Sequence, residues 1–237
     1  MSLRGREPII ALLLFTSSVF GQDPALTRLK HEMAIAREQS EHVKQFGENG
    51  TARIVAVHAA LRNWIEPKLP KDISSLARVS WQLEAALPQE LVQAGLSLPD
   101  SADAGFDHSA FNQVEVEFQM MPELPDMLFV TAGVHVPCGE DDVVYAYRFD
   151  GNGRTRVVED HPKSDWGYGN SKLQLSEPDP RGRRLLLVHR RSLQCGSSWF
   201  VTPYSVYRVD SGKSPELLLP QNIVSGWEMK MTGSFLF

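Results

Sequence analysis

The chain has 237 residues, 42% of them hydrophobic and 22% charged, which excludes a disordered chain, a collagen-like fibre and a multispan membrane protein. A net charge of -5 gives no general basic field, so no nucleic-acid partner is expected. The 2 cysteines are too few for a disulfide-scaffold miniprotein or a four-thiolate zinc site.

Residues 1–22 carry Arg4 and Arg6 as a basic head, an apolar run over 9–15 and small residues at Ser17, Ser18, Val19 and Gly21. That is the order of parts in a signal peptide over residues 1–21, cut between Gly21 and Gln22. The apolar run is about half the roughly 20 residues that span a bilayer. No cysteine follows it to carry a lipid. The expectation is an exported soluble protein, secreted or periplasmic, with no membrane span once the signal is removed.

From 24 to about 46, Leu26, Leu29, Met33, Ala36 and Val43 recur at three- and four-residue spacing, as one stripe of a helix does. Gly47-Glu48-Asn49-Gly50 breaks the pattern, and Thr51 can cap a second helix with Ile54, Val57, His58, Leu61, Trp64 and Ile65 on one side. His58 on that apolar side reads as a packing residue. Asn49-Gly50-Thr51 is also a glycosylation sequon. Pro67 and Pro70 end the second helix. A third, starting near Asp72, carries Ile73, Leu76, Val79, Leu83 and Leu87, with a short further turn from Pro88 to Ala94. Residues 22–96 therefore read as a helical unit.

Residues 97–112 are rich in Ser, Asp, Ala and Gly and mark a linker. Beyond it the pattern turns to short runs of β-branched and aromatic residues at 114–121, 127–136, 143–149, 154–159, 172–176, 184–191, 199–209, 216–219 and 227–237. Gly, Pro, Asn and Asp separate them, as in an antiparallel β unit. The fold class is α+β, with helices over 22–96 and β-sheets over 113–237.

An internal repeat lies in the β half. Tyr147-Arg148-Phe149-Asp150 aligns with Tyr207-Arg208-Val209-Asp210, and each copy follows a Cys-Gly pair, Cys138-Gly139 and Cys195-Gly196. The copies cover about 113–162 and 171–221, a period suited to four-stranded blades. The segment Ser176-Glu177-Pro178-Asp179-Pro180-Arg181-Gly182-Arg183-Arg184-Leu185 resembles the Ser-Pro-Asp-Gly-Lys turn between the first two strands of many β-propeller blades. Tyr207-Arg208-Val209-Asp210-Ser211-Gly212-Lys213 is similar to the end of their third strand. The resemblance spans 113–237 and implies two blade-like repeats and a final strand; it implies no shared activity. Ser192-Leu193-Gln194-Cys195-Gly196-Ser197-Ser198-Trp199 is similar to the Asp-box hairpin of sialidase-type propellers, with Gln194 in place of the Asp.

Several clusters carry candidate chemistry. Cys138 and Cys195, the only thiols of an exported chain, are expected to form one disulfide. Asp150-Gly151-Asn152-Gly153-Arg154 starts like a calcium loop, but a cation at the fifth position repels the ion, so a hairpin turn is expected. Glu140-Asp141-Asp142 and Glu159-Asp160 read as solvated acidic loops. Arg183, Arg184, Arg190 and Arg191 form a candidate anion patch, although charges bracketing 185–188 also fit an edge strand protected from aggregation. The loop 164–170 places Asp165, Trp166 and Tyr168 among flexible glycines and is the candidate ligand loop. There is no Gly-any-Ser-any-Gly, phosphate loop or dinucleotide fingerprint. No cofactor and no metal are expected.

The leading functional expectation is a non-catalytic binding or assembly module. The rival is a secreted hydrolase acting on carbohydrate or peptide through the loop 164–170. The last strand, from Trp227, ends without a partner strand, which predicts a protein partner or self-association through its edge, or a longer parent protein.

Overall fold

The computed structural model describes residues 23–42, 48–97, 113–136, 139–161, 170–190, 192–193, 199–210 and 212–227. Helix α1 (Pro24–His42) starts where the Asp23 carboxylate accepts a hydrogen bond from the Ala25 backbone N–H at 2.9 Å, satisfying a donor that the helix itself leaves unpaired. Its stripe of Leu29, Met33 and Ala36 is buried.

Helix α2 (Glu48–Ile65) begins before Thr51 and runs through Gly50. An interior glycine costs only about 1 kcal/mol, which the buried face of Ile54, Val57, Leu61, Trp64 and Ile65 outweighs. A 3-10 turn (Glu66–Lys68) carries the chain past Pro67 to α3 (Ile73–Gln93). This helix continues unbroken through Pro88, so the short further turn expected from Pro88 to Ala94 is part of it. Leu83, Leu87 and Leu91 form one buried stripe across that point, while Pro88 lies on the exposed side. The helix ends in a double bond pattern, Leu96 N–H to Leu91 O at 2.8 Å and Gly95 N–H to Val92 O at 2.9 Å. Gly95 takes φ 68°, the left-handed conformation such an ending requires.

Two antiparallel sheets follow, so the class is α+β. The first is a meander of β1 (Val114–Gln119), β2 (Met127–Val136), β3 (Gly139–Asp150) and β4 (Gly153–Asp160), in that spatial order. The second holds β5 (Ser171–Leu175), β6 (Arg184–Arg190), the short β7 (Ser192–Leu193), β8 (Trp199–Val209) and β9 (Glu216–Trp227). Strand β8 pairs with β6 and β7 and also with β9.

Side-chain alternation sorts the strand residues into two cores. Leu128, Val130, Ala132 and Val134 of β2, with Val143, Tyr145, Tyr147 and Phe149 of β3, join the apolar faces of α1, α2 and α3. Their neighbours Met127, Phe129, Val144 and Ala146 join Val158, Leu186, Val188, Tyr207 and Val209 of the second sheet. The layers are therefore helices, first sheet and second sheet. Strands β2 and β3 are covered on both faces, which explains why their apolar runs barely alternate.

Three sequence expectations are corrected. Residues 140–142 lie inside β3 and 159–160 inside β4, and Asp141, Asp142 and Asp160 are buried; pairing with β2 extends β3 beyond its apolar run. Strand β6 lies between β5 and β8 and is not an edge. Strand β9 is continuous across Pro220, because a proline on the outermost strand need not donate inward. The segment 228–237 lies outside the described residues. The Asp150–Arg154 hairpin is as expected, with Asp150 opposite Gly153 and the Asn152 N–H donating to Asp150 Oδ1 at 2.7 Å.

Candidate functional site

The polar chemistry gathers where the two sheets meet. On the second-sheet side of β3, Asp142 accepts the Ser171 backbone N–H and, at 2.8 Å, the Ser171 hydroxyl. Arg190 of β6 reaches Asp142 Oδ1 at 3.2 Å, Asp160 Oδ1 at 2.9 Å and the Asp160 carbonyl at 3.0 Å. Tyr207 donates to the other Asp160 oxygen at 2.7 Å. All of these side chains are buried, Arg190 to 2% exposure. One guanidinium thus joins two carboxylates from neighbouring strands of the first sheet. Burial pushes the Asp142 carboxyl up, opposed by the Arg190 charge and the Ser171 bonds.

On the helix side of the same strand, His58 Nε2–H donates to the Asp141 carbonyl at 3.1 Å, with the Asp141 carboxylate at 3.5 Å. Asp141 Oδ1 is buried without a hydrogen bond. Burial pushes the Asp141 carboxyl up to about 8 and His58 down to about 4. Burial thus favours the neutral form of both groups.

A third cluster stands at the rim. Strand pairing sets Glu115 opposite Gly133, Gly133 opposite Asp142 and His135 opposite Glu140. Glu115, His135 and Glu140 share one face of three adjacent strands. His135 Nε2 lies 3.3 Å from Glu115 Oε1 and 3.3 Å from Glu140 Oε1. These hydrogen bonds raise His135 to about 9 and lower Glu115. Among the described residues this is the group whose donor atoms lie close enough to hold a metal, all within 4.8 Å of one another. Gly133 is required beneath it, because a Cβ there would stand 2.8 Å from the Asp142 Cβ.

Beside this rim runs a groove of about 460 Å³, lined by Glu84 of α3, residues 116–119 of β1, Thr131, and residues 171–173 of β5. Among the described residues β1 pairs only with β2 and β5 only with β6, so the groove lies between two sheet edges.

The residues singled out in the sequence fall elsewhere. Cys138 and Cys195 lie outside the described residues, as do Asp165, Trp166, Tyr168 and Arg191. Arg183 is bound to Asp179 at 2.5 Å, and Arg184 donates to the Ser176 carbonyl at 2.8 Å. Arg190 is buried between Asp142 and Asp160, away from the surface on which Arg183 and Arg184 are partly exposed. The rim cluster was missed because its members are far apart in the chain. Its signal was His135, the single basic position within the run Val130 to Val136, read against a hairpin that folds Glu140 onto it.

No protein-family model, curated protein or solved structure matches the chain. Among the described residues no helix is long and apolar enough to cross a membrane.

Proposed function

We propose that the chain is an exported, non-catalytic binding module that takes an extended cationic peptide in the groove between β1 and β5. The carrying observation is the groove itself, open between two strand edges that are unpaired among the described residues and whose backbone groups suit an added strand. Val116, Phe118 and Leu173 supply apolar contact, and Glu84 and Glu117 outnumber Lys172 along its wall. The buried carboxylates Asp142 and Asp160 are occupied by Arg190, which leaves them no substrate to act on. Export rests on the basic head and apolar run of residues 1–22, and a Cys138–Cys195 disulfide accompanies that reading. Blade-like repetition of the two sheets belongs to it as well, supported by the matched Tyr-Arg-apolar-Asp segments on the third strand of each meander. So does self-association through β9, where Leu217, Leu218 and Leu219 are 49%, 40% and 45% exposed.

Fluorescence anisotropy with dye-labelled short peptides rich in Lys and Val tests the groove. Saturable binding that Glu117→Lys and Gln119→Trp both weaken, with the peptide intact afterwards by mass spectrometry, supports the reading. Cleavage of the peptide, or binding untouched by both substitutions, overturns it.

A further inference from the structure

We propose that Glu115, His135 and Glu140 form a three-ligand site for a divalent transition ion, zinc foremost, with its remaining coordination positions open to the adjoining cleft. This goes beyond the peptide-groove reading and does not depend on it.

The first argument is geometric. The imidazole nitrogen stands 3.3 Å from one oxygen of each glutamate. Donors held about 2.0–2.2 Å from zinc lie roughly 3.0–3.5 Å apart in tetrahedral or octahedral arrangements. Two of the three donor separations already suit an ion. The third, between the two glutamates, is no more than 4.8 Å. All three residues sit on paired strands, not loops, so the backbone positions are fixed before any ion arrives.

The second argument is space. A cleft of about 10 Å³ adjoins the two glutamates, bounded by Glu115, Glu140, Gly133, Asp142, Asn170 and Ser171. His135 stands outside its lining, so the cleft offers room for about one water on the open side of the ion. Gly133 keeps it open by presenting no side chain between Glu115 and Asp142. The three groups are each between 20% and 42% exposed, so an ion can enter from solvent.

The third argument is donor chemistry. Two carboxylates and one neutral imidazole balance a divalent charge. An imidazole donor disfavours calcium, which takes six to eight oxygens, and magnesium, which keeps its own waters. Zinc, cobalt, nickel and manganese accept the mixed set, with affinity following the usual order of the series.

The test uses the full chain, without an affinity tag, stripped with EDTA and dialysed. Isothermal titration with zinc chloride is expected to show one site per chain. Glu115→Gln, Glu140→Gln and His135→Ala should each weaken it by more than about tenfold, with circular dichroism melting curves confirming that each variant folds. Cobalt substitution gives a second readout, visible absorption bands that His135→Ala removes. If His135→Ala fails to fold, the two glutamine variants still decide, because they keep size and hydrogen bonding. Absence of saturable zinc uptake at micromolar concentration overturns the proposal. Uptake that all folded variants retain overturns it equally, by placing the ion elsewhere.

Discussion

Tyr147 and Tyr207 occupy the same place on the third strand, in spatial order, of their sheets, and each donates a phenolic hydrogen bond to a carboxylate of the layer before it. Tyr147 donates to Glu66 below α2 at 3.1 Å, and Tyr207 donates to Asp160 of the first sheet at 2.7 Å. The acceptors differ in setting. The Glu66 side chain is 29% exposed and the Asp160 side chain 4%. A lost bond to a buried charged group costs about 1.5–3 kcal/mol, against about 0.5–1.5 where water can replace it. Tyr207→Phe is therefore expected to destabilise more than Tyr147→Phe, a ranking that urea midpoints for the two variants will check.

Among the described residues Arg190 is the one cation between Asp142 and Asp160, with all three side chains at 4% exposure or less. Removing it strands two carboxylates in a buried interface between sheets. Breaking a buried pair of this kind costs about 3–5 kcal/mol. Arg190→Met should lower the unfolding free energy by that order in denaturant titration. Adding Asp142→Asn and Asp160→Asn should recover part of the loss, because neutral amides carry no uncompensated charge.

Gly133 is fixed by its cross-strand neighbour. An added Cβ would meet the Asp142 Cβ at 2.8 Å and the Asp141 carbonyl and Asp142 Cα at 3.2 Å. Backbone atoms and a Cβ cannot swing aside as a long side chain does, so Gly133→Ala must separate β2 from β3 locally. Overpacking in such places costs about 1–3 kcal/mol. Thermal unfolding of Gly133→Ala against the parent chain reads this directly.

How far the molecule could be read from its residues depended on which force set each boundary. Strands β2 and β8 match their expected limits, since β-branched runs there end at turn-forming residues. The misreadings at Gly50 and Pro220 share one cause. Each residue is unfavourable locally, and burial of its neighbours or an edge position outweighs that penalty. The helices also share a core with the first sheet, which local periodicity does not reveal. Glu115, His135 and Glu140 were invisible for another reason. They become neighbours only once strand register is set, and register depends on the hairpins between them.

The His58–Asp141 pair makes stability depend on pH in a defined window. Its folded values are about 4 and about 8, against ordinary values of 6.5 and 3.8. The raised Asp141 value stabilises the fold below 3.8, an advantage that fades as pH climbs to about 8. The depressed His58 value stabilises it above 6.5, an advantage that fades as pH falls to about 4. Between about 4 and 6.5 the two slopes oppose and cancel, because folded and unfolded pairs each hold one proton. Between 6.5 and about 8 only the Asp141 slope remains, and this pair's contribution falls by about 2 kcal/mol. Asp141→Asn keeps that position neutral at every pH. Denaturant midpoints in EDTA across this window should therefore fall less in Asp141→Asn than in the parent chain.

A sheet covered on both faces has no solvent side on which to vary. Any substitution in β2 or β3 must satisfy either the helices or the second sheet, so this pair of strands offers evolution almost no neutral ground. Only the rim on the second-sheet side escapes, where Glu115, His135 and Glu140 remain partly exposed. New chemistry could arise there without repacking either core, on backbone held by strand pairing.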